Sequence, residues 1–398
     1  MTRLAIVVSH PIQYYVPLYR RLAVRDDLDL KVFFTWHSAD EPTPDRGFQR
    51  TFKWDIPLTE GYDWERVANT AADPGPHHFL GLRNPDLVAR VLEWRPDAIH
   101  LTGYAGLSHL IALRAFRARA IPVLFRGDSH LLDASAHGPR WWLKRWLLTR
   151  VFSWPAAFLC VGTANRTYYE AFGVDRGRLF ACPHSIEVAR FADAALDAEA
   201  QARDWRTELG IPAEGKVLLF AGKFEAKKRP VALMAAVREH APPGMVLVMV
   251  GDGEHGDEVR RIATGDPERF RVLPFQNQSR MPVVYRLGDL FVLPSAFGET
   301  WGLGVNEALA CGRPALISSR VGCGADVIDD TCGRIFASED WTDFGRALNE
   351  LMRDPFLLTA MRSAATARAR AFDIPVTETA TMACLNRTLG REESAPQA

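Results

Sequence analysis

Glu299 and Glu307 stand eight positions apart in the stretch 294–314, Pro-Ser-Ala-Phe-Gly-Glu-Thr-Trp-Gly-Leu-Gly-Val-Asn-Glu-Ala-Leu-Ala-Cys-Gly-Arg-Pro. The apolar run Leu290 to Leu293 before it reads as a buried strand, and Pro294 ends that strand. From about Leu303 the pattern is helical, with Gly312 and Pro314 supplying a Gly-then-Pro stop. The first carboxylate therefore falls on a loop before a helix N-terminus and the second inside that helix. A carboxylate held there accepts hydroxyl groups well. The backbone N–H groups of Trp301, Gly302 and Leu303 suit phosphates of the same ligand. A ligand carrying both vicinal hydroxyls and phosphates is a nucleotide sugar.

A second cluster lies upstream in the same half of the chain. After the strand pattern at 217–220 comes Ala221-Gly222-Lys223-Phe224-Glu225-Ala226-Lys227-Lys228-Arg229-Pro230. A Gly turn followed by cations at the carboxyl end of a strand is where a pyrophosphate would be met, with Gly222, Lys223 and Lys228 as its partners. Taken alone, the cluster reads equally as a solvated basic helix start. Farther on, 251–256 is a literal G-x-G-x-x-G after a strand, the pattern of a dinucleotide site. The charges argue against that reading, because Asp252, Glu254, Asp257 and Glu258 would repel a pyrophosphate. The next strand also ends in Pro274-Phe275-Gln276-Asn277, without the acidic residue that holds a ribose.

These residues together resemble the family-4 retaining glycosyltransferases, whose signature is two Glu residues separated by seven. The resemblance is specific from about 151 to 336 and only architectural before that. It implies an α/β chain of the GT-B type, two doubly wound parallel-sheet, Rossmann-like domains facing across a cleft. It further implies metal-independent transfer with retention, by front-face displacement in which the leaving phosphate helps deprotonate the acceptor. Glu299 would then bind sugar-ring hydroxyls and Glu307 the ribose. Lys223 stands where relatives usually carry Arg, keeping the charge but losing the bidentate fork, and Lys228 matches their following Lys. Gly251 would lie near the donor, and backbone around Phe275 would cradle the base. No cofactor is implied beyond the nucleotide-diphosphate sugar. The acceptor would be a glycan or lipid-linked molecule.

The first half should hold that acceptor. In its opening loop, Ser9-His10-Pro11-Ile12-Gln13-Tyr14-Tyr15, His10 and Gln13 are the candidates for sugar hydroxyls. The competing reading makes His10 a helix cap and the tyrosines core. Relatives often place a His against the reacting sugar near Arg126-Gly127-Asp128-Ser129-His130. Here His130 is shifted along the chain and Asp128 lies nearer the expected position. His100 and His109 read as structural.

The elements that must carry these groups are short β-rich runs alternating with amphipathic stretches, the mark of a parallel sheet flanked by helices. Strands are expected at 4–8, 30–35, 98–101, 123–126 and 158–161, then at 217–220, 246–250, 271–274, 290–293, 315–318 and 333–336. Helices are expected at 16–24, 85–94, 107–119, 230–240 and 342–352. The resulting domains are 1–183, closed by a crossover helix at about 372–389, and 184–371, with a disordered tail at 390–398. The segment 182–191, with His184, Ser185 and Glu187, resembles the family's interdomain connection.

With 398 residues, 47% of them hydrophobic, the chain can fill two cores. Its 48 basic and 48 acidic residues cancel, which argues against a nucleic-acid partner. The six cysteines lack metal or CxxC spacing and read as reduced thiols of a cytoplasmic protein. No apolar run reaches the roughly 20 residues of a membrane span. Arg140-Trp141-Trp142-Leu143-Lys144-Arg145-Trp146, continuing to Trp154, interleaves cations with tryptophans. Its cations scatter around the wheel, so a partly buried helix with snorkelling cations is favoured over peripheral membrane contact through 140–154. Three rivals to the transferase remain. Glycoside hydrolysis by the two Glu residues would need them about 5–9.5 Å apart and leaves the lysines idle. The others are a GT-B-fold sugar-nucleotide epimerase and a non-catalytic sugar-nucleotide-binding subunit.

Overall fold

The computed structural model describes residues 1–36, 43–45, 47–133, 138–193 and 195–391. The tail expected at 390–398 therefore lies outside the described residues from 392 onward. The chain forms two compact units. One comprises Met1–Glu41, Pro57–His184 and Ile374–Ala398, and the other Pro42–Ile56 and Ser185–Asp373.

Along the chain the strands are β1 (Thr2–Val8), β2 (Leu28–Phe34), β3 (Thr43–Asp45), β4 (Arg50–Phe52), β5 (Asp63–Arg66), β6 (Ala98–Thr102), β7 (Val123–Gly127), β8 (Ala157–Cys160) and β9 (Leu179–Ala181). There follow β10 (Val217–Ala221), β11 (Val246–Val250), β12 (Phe270–Leu273), β13 (Leu290–Leu293), β14 (Ala315–Ser318) and β15 (Gly333–Phe336). The first unit holds a seven-stranded sheet in the order β5-β2-β1-β6-β7-β8-β9, and the second a six-stranded sheet in the order β12-β11-β10-β13-β14-β15. Neighbours in both are parallel. A parallel sheet is covered on both faces, which is why its strands read as unbroken apolar runs rather than alternating ones. Leu218, Phe220, Leu247, Met249 and Val292 are buried with Met234 and Val237 of helix Pro230–His240 and Leu348 and Leu351 of helix Trp341–Arg353.

Strand order reverses at one place in each sheet. In the second unit β10 lies between β11 and β13, with Leu218 opposite Leu290 and Leu219 opposite Phe291. The connections leaving β10 and β13 begin there, at the strand carboxyl ends where open parallel sheets hold their ligands. Gly222 to Arg229 follow the first strand and Pro294 to Gly302 the second. Tight backbone packing closes the neighbouring side. Gly251 has φ 151°, and a Cβ on it would lie 1.9 Å from the Gly222 carbonyl oxygen. The Gly222 N–H donates to Val250 O at 2.9 Å and the Gly251 N–H to Leu273 O at 3.1 Å. In G-x-G-x-x-G the first glycine is thus needed for strand-to-strand contact within the protein.

The continuous first domain expected at 1–183 is interrupted. Segment 42–56, with its antiparallel pair β3 and β4, belongs to the second unit. The Asn277 side-chain amide donates to Lys53 O at 2.8 Å, and the Ser279 N–H donates to Asp55 at 3.0 Å. Phe48 and Phe52 each lie 4.6 Å from Phe275, centroid to centroid. This aromatic contact is long-range in sequence, and local patterning does not announce it. The last helix, Ile374–Thr388, joins the first unit, where its Glu378 pairs with Arg25 at 3.1 Å. All six cysteines are free and buried.

Candidate functional site

Lys228 ends a single 3-10 turn, Ala226–Lys228, that follows the Gly222 corner. Arg229 then adopts a left-handed conformation (φ 53°), and Pro230 opens the next helix. The turn is fastened to the loop after β13 by its backbone, since Ala296 N–H donates to Lys227 O at 2.8 Å. This brings the Lys228 ammonium to 2.7 Å from Glu299 Oε2, with both side chains nearly out of solvent (15% and 12% exposed). The Ser295 hydroxyl donates to the same carboxylate oxygen at 3.0 Å. Burial pushes the Glu299 carboxyl upward, but the Lys228 charge and hydrogen bond, the Lys227 charge and the Ser295 hydroxyl outweigh it. The carboxyl is held below its ordinary value and is ionised at neutral pH.

The loop that carries Glu299 is clamped from below. Gly322 N–H donates to Glu299 O at 3.0 Å and Cys323 N–H to Trp301 O at 2.9 Å. A Cβ on Gly322 would sit 2.0 Å from Thr300 O. Gly302, the N-cap of helix Leu303–Ala310, is left-handed at φ 97°. A Cβ there would meet Val321 Cγ1 at 2.9 Å, so only glycine fits both the conformation and the space. The Trp301 indole is buried and donates to Asn306 Oδ1 at 2.9 Å, so what it offers a ligand is its backbone, not its ring. The first N–H groups of the helix, beginning at Leu303, have no partner within it, and its dipole favours an anion at that end. Gly222 lies under Lys228, its hypothetical Cβ 3.6 Å from Lys228 Cδ. Gly251, Gly222, Lys228, Glu299 and Gly302 are thus close neighbours: a Cβ on Gly251 would strike Gly222, one on Gly222 would touch Lys228, and one on Gly302 would reach Glu299 Cγ at 3.7 Å.

The other expected donor-site residues sit differently. Glu307 is buried within the helix, where its Oε2 accepts the Tyr285 hydroxyl at 2.6 Å. Lys223 turns toward the 42–56 segment. Its ammonium is 2.9 Å from Asp45 Oδ1 and 5.0 Å from the centre of the Phe48 ring. Asp45 also accepts the Gly47 and Phe48 N–H groups, at 2.8 and 2.9 Å. Phe48 leads on to Phe275, whose ring also receives the Arg50 guanidinium at 5.1 Å. The two lysines and two glutamates are therefore not one contact cluster: Lys228 and Glu299 touch, while Lys223 and Glu307 each hold a separate partner.

Among first-unit candidates, His10 Nδ1 lies 2.8 Å from Ser9 Oγ, and its ring meets Trp36 edge-on at 5.2 Å. It does not cap the following helix, whose N-cap is Tyr15. Gln13 is half-buried in the same loop. Tyr19 is core, whereas Tyr15 stacks on His184 at 5.9 Å. Asp128 is exposed just past the end of β7, and His130 Nδ1 accepts the Leu132 N–H at 3.2 Å. His109 is satisfied by Thr35 Oγ1 and Gly103 O. His100, expected to be satisfied too, is buried with no hydrogen-bond partner for either ring nitrogen among the described residues. Sequence reasoning missed Asp45, Ser295 and Tyr285. Ser295, four residues before Glu299, could have been suspected from its spacing; the other two come from distant segments.

The comparisons agree with this architecture. The model of glycosyl transferases group 1 matches residues 201–370, and that of the glycosyl transferase 4-like domain matches 54–183. A D-inositol 3-phosphate glycosyltransferase of Salinispora tropica is 30% identical over 218 residues, 51% of this chain and 45% of that protein. One of the same name from Nocardia farcinica is 30% identical over 52% of this chain and 47% of its own length. The chain thus aligns with about half the length of the curated relatives it matches. Among solved structures, Anabaena Alr3699/HepE in complex with UDP and glucose has a TM-score of 0.72 at 16% identity, covering 97% of this chain and 100% of that one. Sucrose-phosphate synthase from Thermosynechococcus elongatus has a TM-score of 0.71 at 18% identity, covering 98% and 99%. At such identities the likeness establishes the fold alone. The two adjoining matches show that both Rossmann-like units carry the sequence of glycosyltransferase domains, group 1 over 201–370 and 4-like over 54–183.

Proposed function

We propose that the chain is a retaining, metal-independent glycosyltransferase that moves a sugar from a nucleotide-diphosphate sugar to a glycan or lipid-linked acceptor. The observation that carries this reading is the 2.7 Å Lys228–Glu299 contact, set between the Gly222 corner and the N-terminus of helix Leu303–Ala310. An ionised carboxylate beside an ammonium and a helix N-terminus can hold hydroxyls with one group and a diphosphate with the other two. In the reaction, the bond from the anomeric carbon to the β-phosphate oxygen breaks. The acceptor oxygen bonds that carbon on the same face, and its proton passes to the departing phosphate. Lys228 and the helix N-terminus stabilise the charge that builds on the diphosphate, and Glu299 orients the sugar. Lys223 reinforces the diphosphate site when it exchanges Asp45 for phosphate. Glu307 serves the ribose with the carboxylate that Tyr285 orients, and backbone near Phe275 serves the base. His10 and Gln13 are assigned to the acceptor, and Asp128 and His130 to the reacting sugar. Six buried free thiols fit a reducing, cytoplasmic setting.

The test is a thermal-shift panel of nucleotide sugars headed by UDP-glucose, followed by transfer assays with the stabilising donor. A true donor should stabilise by about 2.7 kcal/mol at ~100 times its Kd. The product should keep the donor's anomeric configuration by NMR, and EDTA should leave the rate unchanged. Stabilisation by no nucleotide sugar, or an inverted product, would overturn the proposal.

A further inference from the structure

Helix Pro139–Phe152 has two apolar faces instead of one. Leu148 and Phe152 are buried, and Trp141 packs on Phe172 with ring centroids 5.3 Å apart. On the opposite side Trp142, Leu143, Trp146 and Leu147 stand out in solvent at 62%, 59%, 64% and 48% exposure. At about 100° per residue the exposed four span an arc of about 140°, centred nearly opposite the buried three. This explains the wheel that the sequence left without a clean polar face: the two apolar faces lie back to back, with Arg140, Lys144 and Arg145 between them and Arg150 within the exposed arc. The helix is thus partly buried, as expected at 140–154, with burial confined to one seam while Trp142 and Trp146 of the other face lie open.

The charges say what covers that face. Arg140, Lys144, Arg145 and Arg150 all lie on this helix, and from Gly138 to Tyr169 the sequence has no acidic residue. In a chain whose total charge is zero, this is a local concentration of positive charge. Lys144 lies over the Tyr168 and Phe172 rings at 5.8 Å, on the buried flank, and Arg145 over Trp142 at 5.6 Å, on the exposed one. Amphipathic indole rings accompanied by cations that have no ion-pair partner among the described residues match the headgroup level of an anionic bilayer, apolar below and negative above. At 14 residues the helix is too short to span a bilayer, and no helix among the described residues is long and apolar enough to cross one. We propose that this helix is an interfacial anchor that seats the first unit on an anionic membrane surface, lying in the plane of the headgroups. The proposal is independent of the donor chemistry and stands or falls separately from it.

The test uses the full chain with large unilamellar vesicles, either phosphatidylcholine alone or phosphatidylcholine mixed with phosphatidylglycerol. Sedimentation with the anionic vesicles should exceed that with neutral ones by roughly tenfold or more, and salt should reduce it. Tryptophan emission should shift to the blue on binding. Trp142→Ser with Trp146→Ser should abolish binding while circular dichroism and thermal unfolding stay unchanged, because neither ring is in the core. Arg140→Gln with Arg145→Gln should weaken anionic binding by about fivefold per charge. Equal partition into neutral vesicles, undiminished binding by the double Trp variant, or a Trp142-dependent dimer with no vesicle binding would each overturn the proposal.

Discussion

Replacing Lys228 by Ala removes the nearest counter-charge from a nearly buried carboxylate. The Glu299 side chain is 12% exposed and sits 2.7 Å from the ammonium it would lose. Breaking a fully buried pair from one side costs about 3–5 kcal/mol. Here Ser295 still donates at 3.0 Å and Lys227 still supplies charge, so the expected loss at pH 7.5 is about 2–3 kcal/mol. The pH dependence follows in sign. In the native protein the carboxyl lies below its ordinary value, so its contribution is present above the unfolded carboxylate pKa and is lost as pH falls through the depressed folded one. In the variant only the Lys227 charge and the Ser295 hydroxyl still oppose burial, so the carboxyl rises. Its deficit should then be full at neutral pH and shrink toward about pH 4.5 as Glu299 protonates. Urea unfolding of both proteins at several pH values measures this, with Glu299→Gln as the second arm of a double-mutant cycle. In the Gln background, losing Lys228 should cost under about 1 kcal/mol. A deficit below about 0.5 kcal/mol in the Glu background, or one that does not shrink in acid, would refute the reasoning. Transfer measured on folded variant at low temperature should still fall by about 10²–10³ in turnover, since a stabiliser of leaving-group charge is gone.

Asp45→Asn keeps an acceptor for the Gly47 and Phe48 N–H groups but removes the charge that holds Lys223 at 2.9 Å. Titration calorimetry with a nucleoside diphosphate should show affinity rising by about 3–10-fold, because the ammonium no longer has to leave a carboxylate. Weaker binding would show instead that Asp45 positions Lys223 for the ligand. Burial first, and the Arg126 charge second, depress His100 from 6.5 to about 3. The folded state resists a proton that the unfolded chain accepts, so stability is lost as pH falls below about 6.5, at up to ~1.4 kcal/mol per unit. His100→Leu should flatten that slope in urea titrations between about pH 6.5 and 4; an unchanged slope would place the acid sensitivity elsewhere.

Local sequence determined the parallel strands, because a strand buried on both faces must be apolar throughout, and 4–8, 246–250 and 290–293 are. It likewise determined that Glu299 precedes and Glu307 enters one helix, since Pro294, Gly302, Gly312 and Pro314 punctuate the backbone wherever they occur. The second half was the more legible for this reason: its candidate groups lie on short connections next to strand ends. Tertiary structure alone decided which groups touch. Lys228 meets Glu299 because β10 and β13 are neighbours across a reversal of strand order, a pairing of segments 71 residues apart. Asp45 reaches Lys223 across 178 residues because aromatic packing on Phe275 carries segment 42–56 to the second unit. The helix at Pro139–Phe152 makes the same point on a surface. Its composition fixes the supply of tryptophan and cation, but burial of Leu148 and Phe152 decides which tryptophans face water. Periodicity is a property of neighbours along the chain, whereas ion pairs and exposed faces depend on loop closure between distant segments, which no local pattern encodes.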